Sequence, residues 1–330
     1  MLRYLISVLG RGATVLTVTG LAMAIASTAV WAASFPQKGK SIQMIVAYAA
    51  GGSSDAGSRI LASAMEKELG TTVMVVNKPG ASGQLGLTTI ATAKPDGYTF
   101  GTTNFPFAVV SYMEAERKPA YTRKSFQPLG LQVDDPNVIA VKADSRFKTL
   151  QDLVDAVRAK PKTITIASGI LVDDQFAILK FQKAAGLQFV QVNFPQGTSM
   201  AVVPLMGGKI DVFCGNVGDL MGPFKSGAIR ILGIMDDERS PFYPGVKTFE
   251  EQGYKIYNSS SRGFSAPAGT PKEIVDVLSG AMKKAIFSEE HKKRMADMAL
   301  TVKYKDPVEY GKYWEEYETS MKELLPLTKE

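Results

Sequence analysis

The chain has 330 residues, 45% of them hydrophobic and 21% charged, with a formal charge of +6 at pH 7. That composition excludes a disordered chain, and at roughly 100–200 residues per domain the length implies two lobes. Lys and Arg are dispersed, which argues against nucleic acid, and the single cysteine, Cys214, excludes an internal disulfide and argues against a Cys-based zinc site.

The chain opens on a secretion signal. Arg3 and Arg11 precede a stretch free of charge from Gly12 to Ser34, which ends at Val30-Trp31-Ala32 with small residues at the −3 and −1 positions of a cleavage site. The competing reading is a retained transmembrane anchor, since the run is long enough to cross a bilayer. Its Thr, Ser and Gly content and the turn-like Phe35-Pro36-Gln37 that follows favour cleavage after Ala32, hence export to the periplasm.

Ile42 to Tyr48 is an apolar run with little alternation, the pattern of a strand buried on both faces. Gly51-Gly52 breaks it, Ser53, Ser54 and Asp55 are candidate N-caps, and Ala56, Ile60, Leu61, Ala64, Met65 and Leu69 share one helical face. Thr72 to Val76 predicts a second strand, Asn77 to Gly83 a loop, Leu85 to Ala93 a helix, Pro95-Asp96-Gly97 a turn, and Tyr98-Thr99-Phe100 a third strand. Strand, loop and helix repeated three times imply a parallel sheet with helical crossovers.

A second α/β lobe follows. Thr149 caps a helix carrying Leu150, Leu153, Val154 and Val157, with Asp152 at the capping-box position. Thr163 to Ala167 predicts a strand, and Phe176, Leu179 and Lys180 a helix closed by Gly186. Asp173 and Asp174 read as caps of that helix, or alternatively as carboxylates facing the cleft. Leu187 to Val192, Lys209 to Phe213 and Ile229 to Ile234 are further strands. In the tail, Thr270-Pro271-Lys272-Glu273 and Asp306-Pro307-Val308-Glu309 read as capping boxes with Pro at the first helical position. His291, the one histidine, lies in Glu289-Glu290-His291-Lys292-Lys293-Arg294 and reads as the solvated face of a helix. Tyr310, Tyr313, Trp314, Tyr317 and Met321 form a core stripe.

Two glycine-rich loops, Ala49 to Asp55 and Pro79 to Gln84, each follow a strand and open a helix. At the carboxyl ends of parallel strands such loops lie where ligands bind. Glycine permits close backbone approach, and free N–H groups at a helix start favour an anion. Neither loop is a Walker A motif or a dinucleotide fingerprint, and no Gly-x-Ser-x-Gly elbow, triad or metal-spaced cluster appears. The inventory therefore argues against an enzyme and calls for no cofactor.

In this order, several segments resemble the tripartite tricarboxylate transporter substrate-binding proteins, or Bug receptors. They are Ile45 to Asp55, Asn77 to Gly83, Pro95 to Thr99, Leu205 to Asp211, Gly227 to Leu232 and Ala266 to Pro271. The resemblance covers nearly all of the chain after the leader. It implies a two-lobed, type II-like periplasmic binding protein fold, α/β, each lobe a mostly parallel sheet flanked by helices, with two crossovers and the ligand cleft between lobes. The expected division is 33–132 with 262–330 for the first lobe and 133–261 for the second. It implies a monomeric receptor that presents a small carboxylate (a di- or tricarboxylate, an amino acid or an aromatic acid) to membrane permease subunits. The alternatives are a receptor feeding a sensor kinase and, against the inventory, a periplasmic enzyme. Carried over by residue, the first loop contributes Tyr48, Ser53, Ser54 and Asp55 and the second Ser82, Gly83 and Gln84. The candidate ligand-binding set also takes in Ala50, Gly52, Asn104, Ser168, Asp173, Gln175, Phe194, Gln196, Thr198, Asn216 and Asp219. Ala47, the segment Gly169 to Gln175 and Asn193 to Gly197 depart from the family pattern, so ligand identity does not transfer.

Overall fold

The computed structural model describes residues 35–194 and 198–329. The expected leader and Gln196 lie outside the described residues. The first half supplies β1 (Ile42–Val46), α1 (Ser53–Leu69), β2 (Val73–Asn77), α2 (Gln84–Ala91), β3 (Thr99–Thr102), α3 (Phe107–Met113) and β4 (Phe126–Lys142). The second supplies α4 (Leu150–Ala159), β5 (Thr165–Ser168), α5 (Asp173–Ala185), β6 (Val190–Asn193), α6 (Val202–Met206), β7 (Val212–Asn216), α7 (Met221–Lys225) and β8 (Ile229–Ile234). The chain then returns through β9 (Ser259–Pro267), α8 (Lys272–Phe287), α9 (Glu289–Asp297), β10 (Val302–Lys305) and α10 (Pro307–Leu324).

The expected parallel pairing holds within each half. β1 lies between β2 and β3, both parallel to it, and β5 lies between β6 and β7 in the same way. The strands that complete each sheet run antiparallel: β9 on β3, then β4 on β9, in the first, and β7 and β8 on β4 in the second. The 17-residue β4 therefore belongs to both sheets. Phe126 to Pro136 pair with β9, and Asn137 to Lys142 pair with β7 and β8.

Burial on both faces explains the unbroken apolar runs. Ile42, Met44 and Phe100 meet α1 and α8 on one face of the first sheet, whereas Ile45, Phe105 and Leu131 meet Tyr310 and Trp314 of α10 on the other. In the second sheet Ile139 and Val141 of β4 enter one core and Val138 and Ala140 the opposite one. Phe176 and Leu179 of α5 pack into the α10 core, so a helix of the second half is seated on the first.

Local signals were read with mixed success. Thr149 and Asp152 form the expected capping box, as do Asp306 and Glu309, and Gly186 ends α5 with φ of 64°. The Thr270 box does not form: its Oγ1 donates to the Pro267 carbonyl at 2.7 Å, and the helix starts beyond Pro271. Ser53, Ser54 and Asp55 are not N-caps but the first turn of α1, with Gly52 at the cap. Likewise Asp173 and Asp174 are first-turn residues of α5, and Val172 occupies the cap.

His291 is the clearest correction. It is fully buried, not solvated, with Nε2 at 2.9 Å from Gln132 Nε2. The amide nitrogen donates, so the ring nitrogen accepts and the ring is neutral. Burial lowers its pKa from 6.5 to about 4. The unfolded chain therefore binds the extra proton between those values, and this contribution to stability is lost as pH falls from 6.5 towards 4. Urea unfolding at pH 7 and pH 5 should show the wild type losing about 1–2 kcal/mol more than His291→Gln over that interval. Equal losses would mean that the ring is protonated in the fold.

Candidate functional site

The loop after β1 is braced from inside. The Gly51 N–H donates to Asp55 Oδ2 at 2.9 Å, Arg59 Nε donates to the same oxygen at 3.1 Å, and Asn77 Nδ2 donates to Asp55 Oδ1 at 2.9 Å. Burial opposes ionisation of Asp55, but these donors outweigh it and hold the carboxyl below its usual range. Asp55 is thus a brace of the loop. Gly51, at φ of 89°, makes the turn that a side chain would strain. Ala50, Gly52 and Ser53 remain exposed at its lip.

The next two hydroxyls are each held from another element. Ser53 Oγ accepts from Arg262 Nη2 of β9 at 3.2 Å, and Ser54 Oγ accepts from Asn104 Nδ2, just past β3, at 3.0 Å. A hydroxyl that accepts keeps its own proton to donate. The first N–H groups of the 17-residue α1 add donors that no preceding turn can satisfy.

The second loop lies directly against the first. A Cβ on Gly83 would stand 3.1 Å from the Ala47 carbonyl oxygen, and one on Gly86 would stand 2.5 Å from Ala47 Cα. Only glycine allows that approach. Ser82 lies in the short turn Ala81–Gly83, and Gln84 opens α2 with its Nε2 donating to the Arg117 carbonyl at 3.2 Å.

From the second half, the turn between β5 and α5 closes on itself. The Gly169 N–H donates to Asp174 Oδ2 at 3.1 Å, the Leu171 N–H to Gln175 Oε1 at 2.7 Å, and Ser168 Oγ to the Gly169 carbonyl at 2.8 Å. Phe194 donates its N–H to the Ser168 carbonyl at 2.8 Å, and Thr198 is buried close to Gly169. Asp173 turns the other way. Its Oδ2 accepts from Asn137 Nδ2 and from Asn216 Nδ2, both at 2.9 Å, while Asn216 also donates to the Asp135 carbonyl at 3.0 Å. Asp219 Oδ2 accepts the Asn216 N–H at 3.2 Å.

Both halves therefore converge where β4 and β9 cross. Tyr48 is half-buried, and burial drives its pKa upward against the nearby Arg262 charge. Of the expected residues, Tyr48, Ser53, Ser54, Asn104, Asp173, Asn216 and Asp219 are gathered here. Ser168 and Gln175 are occupied by their own turn, Asp55 by its loop and Asn77, and Gln84 by the Arg117 carbonyl. Arg262, Asp135, Asn137 and Asn258 were missed. All four are buried, and Arg262 Nη2 faces Asp135 Oδ2 at 3.5 Å. Burial pushes the Asp135 carboxyl up to about 7 against the pull of Arg262, and it also raises Asp173 and Asp219. The signal was present in the sequence: Asp134-Asp135-Pro136-Asn137 interrupts two apolar runs, and Arg262 interrupts Ser259 to Pro267.

Among the described residues no group of three or more His, Cys, Asp and Glu could hold a metal ion, and no helix is long and apolar enough to cross a membrane. A two-lobed α/β fold whose loops meet at a polar floor between the lobes defines a solute-binding receptor. The chain belongs to the tripartite tricarboxylate transporter family receptors, whose family model matches residues 58–326. It is similar to protein BugT of Bordetella pertussis, 29% identical over 279 residues that cover 83% of this chain and 85% of that protein. Among solved structures it is similar to a TctC solute binding protein from Polaromonas, at 25% identity and a TM-score of 0.79, covering 88% of this chain and 99% of that one. It is also similar to MatC from Rhodopseudomonas palustris with bound malate, at 25% identity and a TM-score of 0.70, covering 86% and 98%.

Removing the Asp173 carboxylate leaves one N–H of the buried Asn137 amide and one of the half-buried Asn216 amide without an acceptor, while their second N–H groups keep the Gly215 and Asp135 carbonyls. Asp173→Ala should lower stability by about 2 kcal/mol in urea unfolding, in the range for buried groups left unsatisfied. A loss below about 0.5 kcal/mol, the level of ordinary surface changes, would show that the amides have other partners.

Proposed function

We propose that the chain is a periplasmic receptor that closes its lobes on a small carboxylate and delivers it, as a monomer, to the membrane subunits of a tripartite transporter. The observation that carries this is the pair of adjoining loops. Ser53 and Ser54 each accept a bond from behind and keep a proton to donate, at the start of a helix whose first N–H groups are free by geometry. These donors suit a carboxylate and can hold it without a salt bridge from the loops themselves. MatC, a relative with bound malate, supports the ligand class. In this reading the leader is removed after Ala32, and the lobes are 33–132 with 262–330, and 133–261, hinged where β4 and β9 cross. The protein captures its ligand and catalyses nothing, since the site offers donors but no activated nucleophile beside a base.

Gly52 provides the test. It has φ of −76°, and the nearest atom to a Cβ built there, the Ala49 carbonyl oxygen, is 3.9 Å away. A side chain is thus tolerated by the fold but occupies the space over the loop. Gly52→Val, which puts a poor capping residue at the start of α1, should lower the melting temperature by no more than about 4 °C, while calorimetry shows at least about tenfold weaker binding of the carboxylate that stabilises the wild type most, about 1.4 kcal/mol. Unchanged affinity would remove this loop from the site.

A further inference from the structure

The ion pair at the floor of the cleft is only half used. Arg262 spends Nη2 on Ser53 Oγ and on Asp135 Oδ2, while its Nη1 has no partner. Asp135 Oδ1, on the other member of the pair, has none either. Asn104, which holds the neighbouring Ser54, leaves its Oδ1 unpartnered. All three residues are more than nine-tenths buried. A buried polar atom left unpaired is costly, so three around one loop mark a place built for something else to complete.

The missing partner has a definite character. Arg262 Nη1 offers a donor that suits a carboxylate oxygen. Asp135 Oδ1 and Asn104 Oδ1 offer acceptors, one of them on an acid. An α-amino acid head group carries those complements on adjacent atoms: a carboxylate that accepts, and an ammonium with three protons to donate. We propose that Arg262, Asp135 and Asn104 form a subsite for the head group of an α-amino acid, with the guanidinium and the Ser53–Ser54 turn taking the carboxylate and Asp135 with Asn104 taking the ammonium. The proposal rests on the carboxylate-receptor reading and narrows its ligand class. The surroundings favour it as well. Asp173 and Asp219 bond to Asn216 beside the Arg262–Asp135 pair, so acids outnumber bases at the floor. A ligand with an ammonium relieves that excess, and one with a second carboxylate in its place adds to it.

The test uses matched trios on one carbon skeleton: aspartate, malate and succinate; alanine, lactate and propionate; phenylalanine, phenyllactate and phenylpropionate. Each is titrated calorimetrically into the purified protein. In the trio that binds best, the amino acid should bind at least about tenfold more tightly than the other two, because a site built to pair a polar group discriminates strongly against its absence. Asp135→Asn should bring the ratio of amino acid to deaminated analogue close to one. A wild type that binds the deaminated acid as tightly as the amino acid overturns the subsite, as does Asp135→Asn with the ratio intact. If carboxylates bind without regard to the amine, only this subsite falls. If no member of any trio binds, the carboxylate reading falls with it.

Discussion

One strand must serve two cores, and most of the architecture follows from that requirement. β4 lies in the first sheet up to Pro136 and in the second from Asn137. At the changeover it belongs fully to neither, so its polar groups have to be satisfied by whatever else crosses there. The Asn137 N–H donates to the Asn258 carbonyl at 2.9 Å, and the Asn137 carbonyl accepts from the Met235 N–H at 2.8 Å. Its side-chain oxygen accepts from Asn258 Nδ2 at 2.8 Å while its own amide donates to Asp173. Each member of such a network left unpaired, as Asn258 Oδ1 is here, weakens it, because an unmade bond away from water costs more than a made one contributes.

That knot draws on four places in the chain. Its members come from β4, from the start of α5, from the end of β7 and from the return at Asn258. Arg262 reaches from the knot to Ser53 and so ties β9 to the loop after β1. A second tie lies further along. Lys303 of β10 donates to Asp236 Oδ1 at 2.7 Å and to Asp237 Oδ1 at 2.8 Å, just beyond β8. Together with Phe176 and Leu179 seated against α10, these contacts join the two halves through a few specific groups.

Much of the fold was legible in the sequence because buried strands announce themselves. Ile229 to Ile234 matches β8 to its ends, and β1, β2, β3, β5, β6 and β7 lie within a few residues of their expected positions, shifted where polar termini such as Asn77, Ser168 and Asn216 continue a ladder that hydropathy alone would end; β4, β9 and β10 were not legible, because Gly, Pro and polar residues interrupt their apolar pattern. Two of the capping boxes were legible because their hydrogen bonds are local. Thr270 was not, since Pro267 lies close enough to claim its hydroxyl. His291 was misread for a related reason: its charged neighbours are exposed, and one residue in a polar helix turns inward to a partner, Gln132, that is 159 positions away. The site was half legible. The glycine loops are contiguous in sequence, whereas Arg262 and Asp135 acquire meaning only when β4 and β9 lie side by side. Asp173 was caught between two readings: Val172 holds the cap position, and Asp173 is a first-turn acid of α5 whose carboxylate accepts from Asn137 and Asn216.

Hydrogen–deuterium exchange of the purified protein, with and without a saturating carboxylate chosen from a thermal-shift screen, tests the central claim that a solute is received where the two crossing strands meet the first loop. The account predicts protection concentrated in residues 49–55, 134–137, 169–174 and 258–262, with the outer helices α4 and α8 unchanged. Protection elsewhere, or none in these four segments while the ligand is bound, would contradict it.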